Sequence, residues 1–227
     1  MNAADEGGTG VHPEPAPPFP VAVHVDPQIA DRNRLTVGFR FILAIPHLIL
    51  VGGPLAATFS WSWSSEGDWR LGTGGGLLGA VVFVVTVIAW FAILFTGQYP
   101  QGLWNLAAFY LRWRVRAVAY SALFRDDYPP FGDGPYPAGL ELTPPGAPRD
   151  RPTVAFRLFL AIPHLLVVWA LGIIWGITTI IAWFAILFTG RYPQALYEFG
   201  VGVFRWNIRV EAYLLLLRDE YPPFSLS

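Results

Sequence analysis

The chain has 227 residues, of which 54% are hydrophobic and only 14% charged, with a formal net charge of −1. Soluble domains carry about 25% charged residues, so this composition points to a membrane, and the near-neutral balance gives no support for nucleic-acid binding. Cysteine is absent, which excludes disulfides, thiolate metal ligands and a Cys nucleophile. All 15 cations are Arg; a genome-wide codon bias explains this more simply than phosphate recognition, since even Arg149 and Arg151 in a Pro-rich stretch follow it.

Residues 1–34 are rich in Pro, Gly and acids and poor in apolar periodicity, so they read as a disordered tail. Asp5 and Glu6 stand where a signal peptide would carry its basic segment, and no apolar run follows.

Beyond the tail the chain repeats itself. Thr36–Arg40 and Ala44–Leu48 recur as Thr153–Arg157 and Ala161–Leu165, at an offset of 117. Ile88–Gly97 is identical to Ile181–Gly190 at an offset of 93, and Arg125-Asp126-Asp127-Tyr128-Pro129-Pro130-Phe131 matches Arg218-Asp219-Glu220-Tyr221-Pro222-Pro223-Phe224. The first copy therefore carries 24 extra residues between His47 and Ile88. The resulting division is a tail (1–34), a first membrane repeat (35–131) with a loop insertion at about 52–76, a Pro/Gly-rich linker (132–152) and a second repeat (153–227).

Val154 to Thr189 is almost unbroken apolar sequence. As one helix it would reach about 54 Å, too long for a hydrocarbon core about 30 Å thick. Two shorter helices turning near Leu171-Gly172 fit better. The polar insertion of the first copy, Ser60–Arg70, reads as marking the same turn, because insertions are tolerated at exposed loops. Helices are expected at about 36–57, 75–96, 153–171 and 173–189. A third segment in each copy, about 101–124 and 194–217, carries several charges. Lying flat, these segments leave fourteen of the fifteen Arg on one side and only Arg70 on the other, the asymmetry of a cytoplasmic face. The expected fold is an all-α integral membrane protein: two tandem repeats, each a transmembrane hairpin plus an amphipathic interfacial helix, about a pseudo-two-fold along the membrane normal. Four spans are favoured and six possible; the protein is placed in the cell membrane, multi-pass, with both termini cytoplasmic.

Arg40 and His47, and likewise Arg157 and His164, are seven residues apart and share a helix face. Ionisable groups in a membrane are functional candidates by default, and Pro46 and Pro163 beside the His free a carbonyl, so these four form a candidate intramembrane polar site. The structural alternative is a snorkelling Arg and a His bonded to a neighbouring helix. Arg112 and Arg116 match Arg205 and Arg209 and, with Trp104, Trp113 and Trp206, suit lipid-headgroup contact. The Tyr-Pro-Pro-Phe ends read as helix terminators first and partner-docking motifs second. No metal site, cofactor motif or catalytic constellation appears; Gly72–Gly76 lacks the spacing and the Lys of a phosphate-binding loop.

The strings Phe-Arg-x-x-Leu-Ala-Ile-Pro-His-Leu, Ile-Ala-Trp-Phe-Ala-Ile-Leu-Phe-Thr-Gly-x-Tyr-Pro and Tyr-Pro-Pro-Phe resemble the bacterial membrane family called domain of unknown function 4389, over about 35–131 and 153–224. The resemblance implies a small integral membrane protein and no established activity. The function expected is therefore a non-enzymatic accessory or scaffold component. It would take the lipid bilayer, and membrane-protein partners or itself, as its contacts. The alternative is a small transporter or channel built on Arg40, His47, Arg157 and His164.

Overall fold

The computed structural model describes residues 19–54, 60–63, 69–72, 75–146 and 148–227. In chain order these form β1 (Val21–Val25), α1 (Arg34–Gly38), α2 (Arg40–Val51), β2 (Ser60–Trp63), β3 (Trp69–Gly72), α3 (Gly76–Thr96), α4 (Gln101–Ser121), β4 (Ala138–Leu142), α5 (Arg151–Ala155), α6 (Arg157–Thr189) and α7 (Gln194–Leu214). The chain is mostly helical.

The second half corrects the expected hairpin. No turn occurs at Leu171-Gly172; α6 runs unbroken for 33 residues, about 50 Å. A Gly inside a helix costs only about 1 kcal/mol, and the residues around it are apolar helix-compatible types with no Pro or capping side chain to stop the turn.

The first half follows the same path with an interruption. The 12 residues of α2 and the 21 of α3 together match the 33 of α6. Along α4 the neighbours arrive in a fixed order: Tyr120 under the Arg40 guanidinium, Trp113 on His47, then Tyr110 against Gly75 and Gly79. Running against α4, the chain thus passes from α2 straight into α3. Gly76 begins α3 at φ +72°, and a Cβ there would come within 2.6 Å of the Ile49 carbonyl oxygen and the Leu50 carbonyl carbon. The two helices are therefore stacked end to end. The insertion is a loop pushed out of a helix, with β2 and β3 paired antiparallel from Ser60↔Gly72 to Trp63↔Trp69, and not the turn of a hairpin. Among the described residues, α3 and α6 are long and apolar enough to cross a membrane. The 12-residue α2, at about 18 Å, falls short of a crossing alone.

The third segments are also corrected. Instead of lying at an interface, α4 and α7 form the inner layer, with Ala107, Tyr110, Leu111 and Val115 on one and Val203, Phe204, Ile208 and Ala212 on the other buried in one core. Two of the charges that argued for an interface, Arg114 and Glu211, are satisfied inside. Arg114 Nε donates to Glu211 Oε2 across the helix pair at 2.9 Å, and its Nη1 donates to the Val51 carbonyl at 2.6 Å. That carbonyl ends α2 where the insertion begins; the uninterrupted α6 has no such end, and Asn207 stands at the position equivalent to Arg114.

Two segments expected as tail and linker carry structure. β1, from the tail, pairs antiparallel with β4, from the linker, in the register Val21↔Leu142 to Val25↔Ala138. Val21, Val23 and Val25 alternate inward while Ala22 and His24 face out. This period-two pattern is the strand signature, hidden in the sequence by flanking Pro. The ribbon lies over α4 and α7.

The two halves grip each other through contacts that recur at the sequence offsets. Trp183 donates its indole N–H to the Val37 carbonyl and Trp90 donates to the Val154 carbonyl, each at 2.9 Å. Arg32 N–H bonds the Gly190 carbonyl and Arg149 N–H the Gly97 carbonyl. Gly97 and Gly190 end their helices in the left-handed conformation, which glycine adopts without strain. Residue i of one half meets j of the other and j meets i, as contacts about a two-fold do. Each long helix thus starts beside the end of the other, and the two run in opposite senses.

Candidate functional site

The repeated Arg of the first helices are each seated on a repeated Asp. Arg40 is fully buried; its Nη2 donates to Asp126 Oδ1 at 2.5 Å and its Nη1 to the Arg125 carbonyl at 2.6 Å. Arg157 does the same, with Nη2 on Asp219 Oδ1 at 2.7 Å and Nη1 on the Arg218 carbonyl at 2.7 Å. The guanidinium carbons lie 4.0 Å and 4.4 Å from the Tyr120 and Tyr213 ring centres, within cation–π range.

A second Arg completes each site. Arg32 holds Asp126 through both its Nε and Nη2 and also donates to the Leu123 carbonyl; Arg149 holds Asp219 the same way and donates to the Leu216 carbonyl. This planar two-point grip is peculiar to Arg. Each carboxylate is therefore shared between two buried guanidinium groups. Burial works to raise the Asp126 carboxyl, yet the Arg32 hydrogen bonds, the Asn33 N–H and the Arg32 and Arg40 charges hold it below its ordinary value. Asp219 is lowered in the same way by Arg149 and Arg157 against the effect of its burial.

His47 and His164 sit in aromatic cages. Trp113 donates to His47 Nδ1 and Trp206 to His164 Nδ1, both at 3.1 Å. The rings stack on Phe131 at 4.5 Å and Phe224 at 4.0 Å. The Tyr-Pro-Pro-Phe ends thus do more than stop a helix: they fold back on their own chain, Asp on Arg and Phe on His. Pro gives the extended geometry that carries one side chain to each.

The four residues of the expected polar site are not brought together. Arg40 and His47 are held by α4 and the segment after it, Arg157 and His164 by α7 and the segment after it, and among the described residues the two sets share no partner. Of the Arg expected at lipid headgroups, Arg116 donates to the Gly132 carbonyl and Asp133, and Arg209 to the equivalent Ser225 carbonyl and to that of Ser227. Arg205 donates to the Val23 carbonyl of β1. Arg112, on α4, is half-buried.

Sequence reasoning missed Arg32, Arg149, Asp126 and Asp219 as a set. The signal was there: the offset of 117 extends backward from Thr36 to pair Arg32 with Arg149 and Arg34 with Arg151, but a Pro-rich neighbourhood hid it. A cavity of about 290 Å³ is lined by Tyr99, Trp104 and Arg149, whose guanidinium is engaged with Asp219. Among the described residues no three His, Cys, Asp or Glu side chains are grouped as metal ligands.

A family model described as domain of unknown function 4389 (DUF4389) matches residues 75–132 and 151–225, more than half of the chain. The chain belongs to this family. No curated protein and no solved structure matches it. The two DUF4389 matches take in Asp126 with Phe131 and Asp219 with Phe224, the folded-back ends that hold each unit closed. Arg32 and Arg149 lie outside the matched segments.

Proposed function

We propose that the protein is a non-enzymatic accessory or scaffold component of the cell membrane, packing its long helices against lipid and against other membrane proteins or a second copy of itself. One observation carries this reading. The outward faces of α2, α3 and α6 are apolar along their whole length, with Phe41, Ile42, Ile49, Val84, Phe91, Phe95, Phe159, Trp169, Ile177 and Phe188 exposed, while the only charges on those helices, Arg40 and Arg157, are buried and paired. An exposed apolar surface running along both long helices, with no charge on it, marks an interaction surface. The ionisable groups serve internal packing, which favours a structural role over a proton or ion path.

The test is cross-linking in the native membrane followed by size measurement in mild detergent. An assembly larger than one chain is expected. A chain that stays monomeric and uncross-linked in its own membrane refutes the scaffold reading.

A further inference from the structure

We propose that the two long helices lie in the plane of the membrane, sunk into one leaflet, with lipid acyl chains as the occupant of their exposed apolar faces. The inference rests on the membrane reading above and goes beyond it, because it replaces crossing by immersion.

The path of the chain carries the argument. Asp126 sits beside Arg40, at the start of the first long helix, and Arg149 sits beside Gly97, at its end. The segment from 127 to 148 therefore runs back along the full length of that helix. It is Pro- and Gly-rich, exposes Asp133 and Glu141, and contributes β4 to a two-stranded ribbon whose outer edges, among the described residues, have no further strand. If the long helices stood upright across the bilayer, this polar stretch and both ribbon edges would lie in hydrocarbon, where each unsatisfied backbone group costs several kcal/mol. Laid flat, the helices place the part of the stretch beyond Phe131, with its exposed Asp133 and Glu141, on the aqueous side.

The distribution of exposed side chains divides the molecule the same way. Large exposed apolar residues fall on 35–95 and 156–188 and in the folded-back ends, and none falls on α4, α7, β1 or β4. Of the exposed charges among the described residues, Asp26, Asp133, Glu141 and Glu198 belong to the ribbon, its flanks and α7, while Asp31, Arg34, Asp127, Asp150, Arg151, Arg191 and Glu220 fall at or beyond the ends of the long helices and none falls within α2, α3 or α6. Helix length agrees. A rod of about 50 Å tilted by 40°, the upper end for spanning helices, still projects about 38 Å across a core about 30 Å thick. In the plane, length is unconstrained, and the two-fold between antiparallel helices stands along the membrane normal.

Gln98 and Arg191 occupy the same place in the two halves, each one residue past its helix-ending Gly, and both are exposed. Upright antiparallel helices put them on opposite membrane faces, and flat helices put them on the same face. Because the chain has no Cys, Gln98→Cys, Arg191→Cys and Glu141→Cys can each be read with a membrane-impermeant maleimide on sealed vesicles of both orientations. All three are expected to react from one shared face and to lose reaction from the other. Reaction of Gln98→Cys and Arg191→Cys from opposite faces overturns the proposal. Phe91→Cys and Phe184→Cys, on the exposed faces, are expected to react only with a lipid-soluble maleimide, and reaction with the impermeant one overturns it as well. An alkaline carbonate wash separates the two readings. Release of the protein overturns membrane residence and the proposal together, whereas retention with opposite-face labelling overturns the flat orientation alone.

Discussion

Asp126 and Asp219 are each the shared ionic partner of two buried Arg, and that sharing decides what their loss does. Removing one partner of a buried ionic group leaves an uncompensated charge and destabilises by about 3–5 kcal/mol. Asp126→Asn is expected to lower stability by that order in denaturant unfolding of the detergent-solubilised protein, and Asp219→Asn to do so to a similar extent because its partners are equivalent. The same carboxylates set a pH dependence. Both are held below their ordinary value of 3.8 in the folded chain, so the stability they contribute is fully present above that value and is lost as the pH falls through the lower folded one. Thermal unfolding scans should give a midpoint that is insensitive to these groups from neutral pH down to about 4 and then falls. The double Asn variant, already destabilised, should lose much of that acid sensitivity; an unchanged acid drop would show that other groups control it.

The insertion and the buried Arg114 are one story at the level of the helix. Breaking the first long helix leaves Val51 with an open carbonyl, and Arg114 reaches it while Glu211 neutralises Arg114. Deleting residues 52–75 joins Val51 to Gly76 and should restore a continuous helix of the α6 kind. Far-UV circular dichroism of that variant is expected to retain the full helical signal and cooperative unfolding, at a penalty of about 1 kcal/mol for each Gly brought inside the helix. Were the insertion the tip of a hairpin, cutting it to nothing would abolish folding. Gly200 gives a second element-scale test. A Cβ there would approach the Trp175 indole nitrogen to 2.9 Å and Phe124 to 3.1 Å, both rings being fully buried, so Gly200→Ala should cost about 1–3 kcal/mol by overpacking. The apolar runs, the helix-ending Gly97 and Gly190 and the repeated ends were legible from spacing and identity alone. What was not legible had physical causes. A hydrophobic run of 36 residues reads equally as one long helix or as two, and only its tertiary partners, α7 and α1, distinguish the two. The charges on α4 and α7 looked like surface groups because their acceptors, carbonyls of Val51, Gly132, Val23 and Ser225, are remote in sequence and carry no compositional signature. The ribbon of β1 and β4 joins segments more than a hundred residues apart, beyond any local pattern.

Across the whole molecule, the two halves are tied at both ends by the same bond: Trp183 on the Val37 carbonyl at one end, Trp90 on the Val154 carbonyl at the other. Each Trp reads out the first turn of the opposite half, so neither half completes its own helix start. A two-fold arrangement of this kind makes a quantitative demand that a chance likeness does not. Trp90→Phe and Trp183→Phe each remove one N–H donor while keeping an aromatic ring, and each should cost about 1 kcal/mol. The two losses should be close to equal, and the double variant should show nearly their sum, because the sites sit at opposite ends of rods about 50 Å long and share no partner. Denaturant unfolding of the three variants measures all of this. A marked inequality would mean that one half leans on the other. Near-equality with additivity would mean that the interface is stabilised symmetrically, and that the insertion in the first half leaves the joint between the halves untouched.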